Sequence, residues 1–283
     1  WAFALYWRGD GRPLWRDESR IARERDNYRP TPADAEALAK GIARRLDVNP
    51  ACAMPAYEDA VHYLAREKAL PVNVDPFDSK LEDAEERHRL TQVFERGLRT
   101  PVGYVLPVQR WNAASGRRWR SERWAFRNDR LMLAPGDSPV GFRLPLGSLP
   151  YITAMDYPFV VPQDPMEDLA PLGEPDTYRQ PYLSGASRRA AWRERVKRAE
   201  QDTPFEGASV RTALTVEPRD GRLCVFMPPT ETTEDYLDLI AAIEDTAAEI
   251  DAAIDVEGYS PPHDPRINVM KVTPDPGVIE VNI

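Results

Sequence analysis

Residues 210–227 have the sequence VRTALTVEPRDGRLCVFM, which predicts a β-hairpin and with it the class of the fold. Two runs rich in β-branched and apolar residues, 210–217 and 222–227, flank a Pro-Arg-Asp-Gly turn at residues 218–221. Because side chains alternate between the faces of a strand, one face of the first strand is expected to be polar. That face carries Arg211, Thr215 and Glu217.

The segment after this hairpin completes an α+β pattern. Residues 232–254, TTEDYLDLIAAIEDTAAEIDAAI, predict an amphipathic helix with a threonine cap and acidic residues in its first turn. The run DVEGY at residues 255–259 predicts a short strand, and a terminal hairpin is expected to close the unit. This order predicts an α+β fold with a mostly antiparallel sheet and packed helices.

The terminal hairpin, KVTPDPGVIEVNI at residues 271–283, carries a chemical signal. Alternation places Glu280 and Asn282 on one face and Ile279, Val281 and Ile283 on the other. The apolar face is expected to be buried, which would fix the register. The opposite face then presents a carboxylate and an amide, oxygen ligands that suit Mg²⁺. The alternative is a strand with one solvated face.

Three glutamates on three predicted strands could converge on one sheet face beside Asn282: Glu217, Glu257 and Glu280. Arg211 and Lys271 would supply positive charge next to them. Such a set could hold Mg²⁺ and the phosphates of a nucleotide such as ATP. The alternative is that each glutamate simply faces solvent on the wet side of an antiparallel sheet.

The remainder of the chain divides by composition into a mixed region, a linker and the sheet unit. Residues 1–157 predict helices over 31–46, 58–69 and 82–98, followed by short β runs. Residues 158–204 are dense in proline and arginine and are interpreted as a linker or a surface excursion. Residues 205–283 form the α+β sheet unit.

Composition indicates a protein of the cytoplasm that binds neither nucleic acid nor membrane. No apolar stretch reaches membrane-spanning length, and the two cysteines lack metal-ligand or disulfide spacing. Residues 110–130 interleave arginine with tryptophan and could stack on single-stranded nucleic acid. The formal net charge of -9 argues against that reading, because such a surface needs a positive field. Hairpins with arginine packed over tryptophan are expected instead.

Familiar catalytic motifs are absent from the sequence. It contains no Gly-rich phosphate loop, no GxSxG and no HExxH. His263 beside Asp264 could form a catalytic pair, but its proline-bound setting favours a turn. No histidine accompanies either cysteine in the local sequence, so nothing favours a thiol nucleophile.

Six stretches of the sequence follow the pattern of one known family. They are RTALTVEPRDGRLCVFMPP, EDYLDLIAAIE, HDPRINVMKVTPDPGVIEVNI, LPVNVDPFDSKL, RGLRTPVGYVLP and GDSPVGFRLPLGSLP. They closely resemble the bacterial family of unknown function known as the putative amidoligases. Those proteins look like a transglutaminase-like amino-terminal region fused to a glutamine-synthetase-like ligase domain.

The resemblance implies an ATP-dependent ligase that joins a small-molecule or peptide carboxylate to an amine. The carboxylate would take the γ-phosphoryl group of ATP, and an amine would attack the resulting acyl phosphate. In glutamine-synthetase-like sheets glutamates on antiparallel strands hold Mg²⁺, one of them in a context similar to PGVIE at residues 276–280. The resemblance therefore implies metal roles for Glu280, for Glu217 and, with a weaker match, for Glu257.

Two departures from the family pattern lead us to expect an incomplete and inactive internal fragment. The covalently linked transglutaminase-like region is missing, as is a Gly-rich, Asn-His segment that would follow Ile283. A non-catalytic peptide- or protein-binding module is the alternative function, with its glutamates merely solvated. A glycosidase-like acid/base pair would need a sugar-sized cleft that the sequence does not predict.

Overall fold

A computed structural model describes residues 2–69, 84–113, 116–126, 129–151, 169–174 and 210–282. The α-helices are α1 (Pro32–Arg45), α2 (Ala60–Ala69), α3 (Ala84–Arg96) and α4 (Thr233–Glu249). The strands are β1 (Phe3–Arg8), β2 (Met54–Tyr57), β3 (Gly103–Ala113), β4 (Gly116–Ser121), β5 (Leu131–Met132), β6 (Ala213–Arg219), β7 (Arg222–Met227), β8 (Ile254–Gly258), β9 (Ile267–Asp275) and β10 (Val278–Asn282). The predicted α+β class is confirmed.

The larger sheet has seven strands in the order β5-β2-β3-β6-β7-β8, with β4 paired to β3. Most neighbours are antiparallel, but β2/β5 and β7/β8 are parallel, so the sheet is mixed. Helix α4 provides the crossover that the parallel β7/β8 pair requires.

The hairpin predicted at residues 210–227 is present, with a tighter turn than expected. Strand β6 continues to Arg219, so the loop between the paired residues Arg219 and Arg222 contains only Asp220 and Gly221. Both loop residues have positive φ, 51° and 75°, which suits a two-residue turn. Arg219 is therefore a strand residue and not a turn residue, and its side chain faces the same way as that of Glu217.

The terminal hairpin is also present, but in a different sheet from the one expected. Its strands β9 and β10 meet at Pro276 and Gly277, where Gly277 has a φ of 82°. The prediction that this hairpin closes the larger sheet is wrong: β1 pairs along the other edge of β9, giving a separate three-stranded sheet in the order β1-β9-β10.

The expected burial of the apolar face of β10 is wrong as well. Ile279 is 69% exposed and Val281 is 51% exposed, while Ile283 lies outside the described residues. β10 is the edge strand of the smaller sheet, and all of its residues are exposed, so nothing in the described part of the chain buries its apolar face. The predicted alternation itself is confirmed, because the register places Glu280 and Asn282 on one face.

One face of the larger sheet packs against α1 and α4. Thr31 caps α1 through a capping box with Asp34. Thr232 caps α4, which confirms the threonine cap predicted for that helix. The helices approach closely at Gly41, where an added Cβ atom would lie 2.3 Å from the Cγ2 atom of Thr246. The core on this face includes Leu38, Ile42, Leu214, Val225, Leu239 and Ile243.

The opposite face of the larger sheet is covered too, so the alternative of a simply solvated face does not hold at β6. A second core packs there, including Met54, Val105, Trp124, Leu131, Val140 and Ala213. Trp124 anchors it by donating from Nε1 to the carbonyl oxygen of Val210 at 2.9 Å. All residues from Ala213 to Glu217 are consequently buried. The packing of arginine over tryptophan is confirmed at Arg110, whose Cζ lies 4.9 Å from the ring centre of Trp119.

The larger sheet draws strands from both sides of the linker predicted at residues 158–204. Strands β2 to β5 precede that segment and β6 to β8 follow it. Of the segment itself only residues 169–174 are described, so its interpretation as a linker stays a prediction. None of the helices in the described ranges has the length and apolarity needed to cross a lipid bilayer.

Candidate active site

The second face of the larger sheet carries a patch of ionisable side chains near the β6–β7 turn. The register pairs Glu217 with Cys224 and Cys224 with Asp255 across three strands. Two residues further along each strand, Thr215 pairs with Phe226 and Phe226 with Glu257. Paired residues share a face, and so do residues two apart in one strand. Glu217 and Glu257 therefore lie on one face, as the sequence predicted.

Arg219 joins these two glutamates. Its Nη1 atom donates to Oε1 of Glu217 at 2.7 Å and to Oε1 of Glu257 at 3.0 Å. Its Nη2 atom donates to Oε2 of Glu257 at 2.5 Å. The Glu217 side chain is 6% exposed, whereas those of Arg219 and Glu257 are 25% and 23% exposed. The cluster is thus a buried carboxylate linked by a guanidinium to a solvent-accessible one.

Glu217 is also held by the short helical turn Val140–Arg143, which follows β5. The backbone N–H of Val140 donates to its Oε1 atom at 3.0 Å. Burial raises the pKa of the Glu217 carboxyl, against the opposing effects of Arg219 and the Val140 N–H. A buried carboxylate of this kind is stabilised by positive charge, which makes it a good partner for a cation.

Cys224 sits beside Glu217 but is not a nucleophile candidate. Burial raises the pKa of its thiol to about 12, so it stays protonated at neutral pH. His263 is exposed, and its neighbour Asp264 is held by Arg266 through Nε to Oδ1 at 2.9 Å and Nη2 to Oδ2 at 2.6 Å. That engagement agrees with the reading of His263 as a turn residue.

Sequence reasoning missed a second buried ion pair close to this cluster. Arg143 donates from both terminal nitrogens to the carboxylate of Glu58, and from Nε to the carbonyl oxygen of Ala134 at 2.7 Å. Glu58 and Arg143 are 4% and 6% exposed. Arg143 also opposes the rise in the pKa of Glu217, so its charge acts on the same patch. The fold brings Glu58 and Arg143 together, and no local pattern signals it.

Glu280, Asn282 and Lys271 lie elsewhere, on the smaller sheet. Asn282 pairs with Lys271 and Glu280 with Thr273, so the three predicted site residues do share one face. All three are exposed. The structure thus gathers Glu217 and Glu257 at one place and Glu280, Asn282 and Lys271 at another. Their assignment as ligands stays a prediction.

Arg211, the other predicted phosphate ligand, precedes β6. Its guanidinium donates to the carbonyl oxygen of Pro150, and its backbone N–H donates to Oε1 of Gln109 at 3.2 Å. It therefore helps to hold the segment around Pro150 against the sheet.

The donor set at Glu217 and Glu257 suits the way proteins bind Mg²⁺ together with a nucleotide. In the described part of the chain, no group of three or more histidine, cysteine, aspartate or glutamate residues could hold a metal ion by itself. Mg²⁺, however, is commonly bound by one or two carboxylates while substrate phosphates and water complete its shell. Arg219 already binds one oxygen of Glu217 and both oxygens of Glu257, so the pair would take that role only if the guanidinium gave up some of these contacts.

The fold and this patch define an α+β protein with a charged, partly buried site on its mixed sheet. The chain belongs to the family described as "Putative amidoligase enzyme (DUF2126)", whose model matches residues 1–283. The membership expected from the sequence resemblance is therefore confirmed, and it supports a ligase-type function. No curated protein and no solved structure matched the chain significantly.

Proposed function

We propose that this protein is an ATP-dependent ligase that joins a carboxylate to an amine, with its nucleotide site at Glu217 and Glu257. Two findings support the proposal: membership of a family described as amidoligases, and the sharing of one guanidinium by two carboxylates on one sheet face. The choice of Glu217 and Glu257 as the site rests on the second finding.

The reaction would proceed in two balanced steps. An oxygen of the substrate carboxylate attacks the γ-phosphorus of ATP, which releases ADP and leaves an acyl phosphate. An amine then attacks the acyl carbon, inorganic phosphate leaves, and the amine loses a proton. Mg²⁺, when bound with the nucleotide, supplies charge neutralisation of the phosphates.

The side chains of the patch have distinct parts in this proposal. Glu217 and Glu257 would hold Mg²⁺, and Arg219 would supply a positive charge for phosphate oxygens, which its planar fork matches well. Arg143, which is held by Glu58, adds positive charge that acts on Glu217. The sequence also suggested Glu280 and Asn282 as metal ligands and Arg211 and Lys271 as phosphate ligands, but these residues lie outside the patch and the nucleotide site proposed here does not use them.

A test of the chemistry uses a carboxylate substrate labelled with ¹⁸O. Mixtures of common amino acids and short peptides are incubated with Mg–ATP. Mass spectrometry then measures the release of ADP and any product whose mass equals that of two substrates minus one water. An acyl phosphate route transfers one labelled oxygen to inorganic phosphate. ADP release without label in the phosphate would contradict the route, and Glu257→Gln is expected to abolish both signals.

A second candidate function is favoured by a separate observation. The smaller sheet exposes apolar side chains on one face, with Phe3 63%, Leu5 58% and Ile279 69% exposed. Exposed apolar sheet faces are typical of protein-binding surfaces, so a peptide- or protein-binding role is the alternative.

Location in the cytoplasm and a linked transglutaminase-like region stay predictions of the sequence.

A further inference from the structure

Three aromatic rings adjoin the glutamate pair on the second face of the larger sheet. Phe226 pairs with Glu257 in the register and is only 3% exposed. The ring centre of Phe142 lies 4.7 Å from that of Phe226, and the ring centre of Tyr259 lies 6.1 Å from it. Phe142 is 66% exposed and Tyr259 is 51% exposed. One buried ring thus supports two large rings that face solvent.

Two glycines bring the backbone before each exposed ring close to Phe226. A Cβ atom added at Gly141 would clash with Cδ1 of Phe226, and one added at Gly258 would lie 2.9 Å from the same atom. Gly258 also has a φ of 96°, which residues with a side chain rarely adopt. Phe142 and Tyr259 directly follow these glycines, so the close approach fixes where both rings emerge.

The segments that present the rings are the same segments that contact or carry the glutamate pair. The backbone N–H of Val140, two residues before Phe142, donates to Glu217. Glu257 itself lies two residues before Tyr259. Two residues of chain span at most about 7 Å, so each ring begins within that distance of a residue that holds or supplies a carboxylate. A nucleotide with its phosphates at the pair would have its base within reach of the rings.

We propose that Phe142 and Tyr259 form the base-binding surface of the nucleotide site, where the purine ring of ATP stacks on their exposed faces. The inference rests on the proposed function, because that function places the phosphates at the glutamate pair. Stacking on an aromatic ring uses the flat face of the base and requires no hydrogen bond. Packing on Phe226 holds both rings in place before the base arrives, which limits the entropy lost on binding.

The chain and the ligand each offer a matched control. Phe3 is 63% exposed and lies on β1 of the smaller sheet, so Phe3→Ala removes an equally exposed ring from a different surface. Inorganic tripolyphosphate resembles the phosphate chain of ATP and lacks the base. A variant that loses only base contacts should therefore lose affinity for ATP and keep its affinity for tripolyphosphate.

The test is isothermal titration of Mg–ATP and of Mg–tripolyphosphate into the whole chain and its variants. Phe142→Ala and Tyr259→Ala are each expected to weaken Mg–ATP binding about fivefold or more and to change Mg–tripolyphosphate binding less than about twofold. Tyr259→Phe and Phe142→Trp keep an aromatic face and should bind Mg–ATP like the wild type, as should Phe3→Ala. Unchanged Mg–ATP affinity in either alanine variant, or an equal loss for both ligands, would overturn the inference.

Phe142→Leu keeps the inference testable if Phe142→Ala is unstable, because leucine fills much of the space over Phe226 but offers no ring. It should lose Mg–ATP affinity as the alanine variant does, and full affinity would overturn the inference. The two proposals also fail differently. A wild type that binds both ligands equally well overturns only the base-binding surface, whereas a wild type that binds neither contradicts the proposed function and this inference with it.

Discussion

Gly103 of β3 packs directly against Glu217 of β6. A Cβ atom added at Gly103 would lie 2.9 Å from the Cβ atom of Glu217 and 2.5 Å from the carbonyl oxygen of Val216. Since the second contact is to backbone, neither side can yield by a rotamer change. The absence of a side chain at Gly103 therefore sets the position of the buried carboxylate.

Gly103→Ala is expected to destabilise the protein by about 1–3 kcal/mol, the usual range for overpacking a core. The measurement is chemical unfolding followed by circular dichroism. Gly147→Ala is the control, because an added Cβ there meets nothing within 4 Å. Equal stability of the two variants would contradict the close approach of β3 to Glu217.

The buried pair of Glu58 and Arg143 gives a second prediction. Arg143→Met leaves a buried carboxylate with reduced compensation and is expected to cost about 3–5 kcal/mol of unfolding free energy. The double variant Glu58→Leu with Arg143→Met should recover much of that loss, because neither charge then remains buried. Asp251→Asn, which removes an 88% exposed partner of Arg20, should change stability by less than about 1 kcal/mol. Additive losses in the double variant would contradict a coupled pair.

Glu217 gives a prediction about pH. Burial raises the pKa of its carboxyl above the ordinary 4.5, so the folded state binds this proton more tightly than the unfolded state does. Ionisation of Glu217 therefore removes stability as the pH rises from 4.5 through the folded-state pKa. Glu217→Gln lacks that loss and should be at least as stable as the wild type at pH 7, with activity abolished.

The corresponding measurement is unfolding free energy against pH for both proteins. The curves are expected to separate above pH 4.5, with the variant higher. If Glu217→Gln were the less stable protein at pH 7, the carboxylate would be a stabilising structural element rather than a group kept for chemistry.

Two valines test the corrected burial of the sheets. Val216→Thr places a hydroxyl at a 0% exposed position and is expected to cost about 1–3 kcal/mol. Val281 is 51% exposed on the edge strand β10, so Val281→Thr should change stability by less than about 0.5 kcal/mol. Similar losses at both positions would indicate that β10 is covered after all.

Local sequence patterns were sufficient for the helices and hairpins of this fold. Helix α4 can be predicted from the spacing of its apolar residues, and the β6–β7 hairpin from its alternation and turn residues, all within a few neighbouring positions. The sheet that a strand joins depends on distant partners instead. β9 pairs with β1, which is more than 250 residues away in the sequence, and no local pattern predicts that pairing.

The candidate site was predictable to the same extent. Alternation places Glu217 on the polar face of its own strand, but whether Glu257 shares that face depends on the register of β6, β7 and β8, so the sequence could only suggest it. The role of Arg219 was missed because a Pro-Arg-Asp-Gly sequence suggests a four-residue turn, although its spacing of two from Glu217 was a usable signal. Whether Glu280 lies near the other two glutamates depends on which sheet its strand joins, and distant contacts decide that.

The central claim is that the nucleotide site lies at the glutamate pair of the larger sheet, and titration of Mg–ATP into three proteins tests it most directly. We predict that Glu257→Gln weakens Mg–ATP binding about tenfold or more relative to wild type, since a charged ligand is lost. Glu280→Gln, on the smaller sheet, should bind within about twofold of wild type. Loss of binding in Glu280→Gln with full binding in Glu257→Gln would contradict the account.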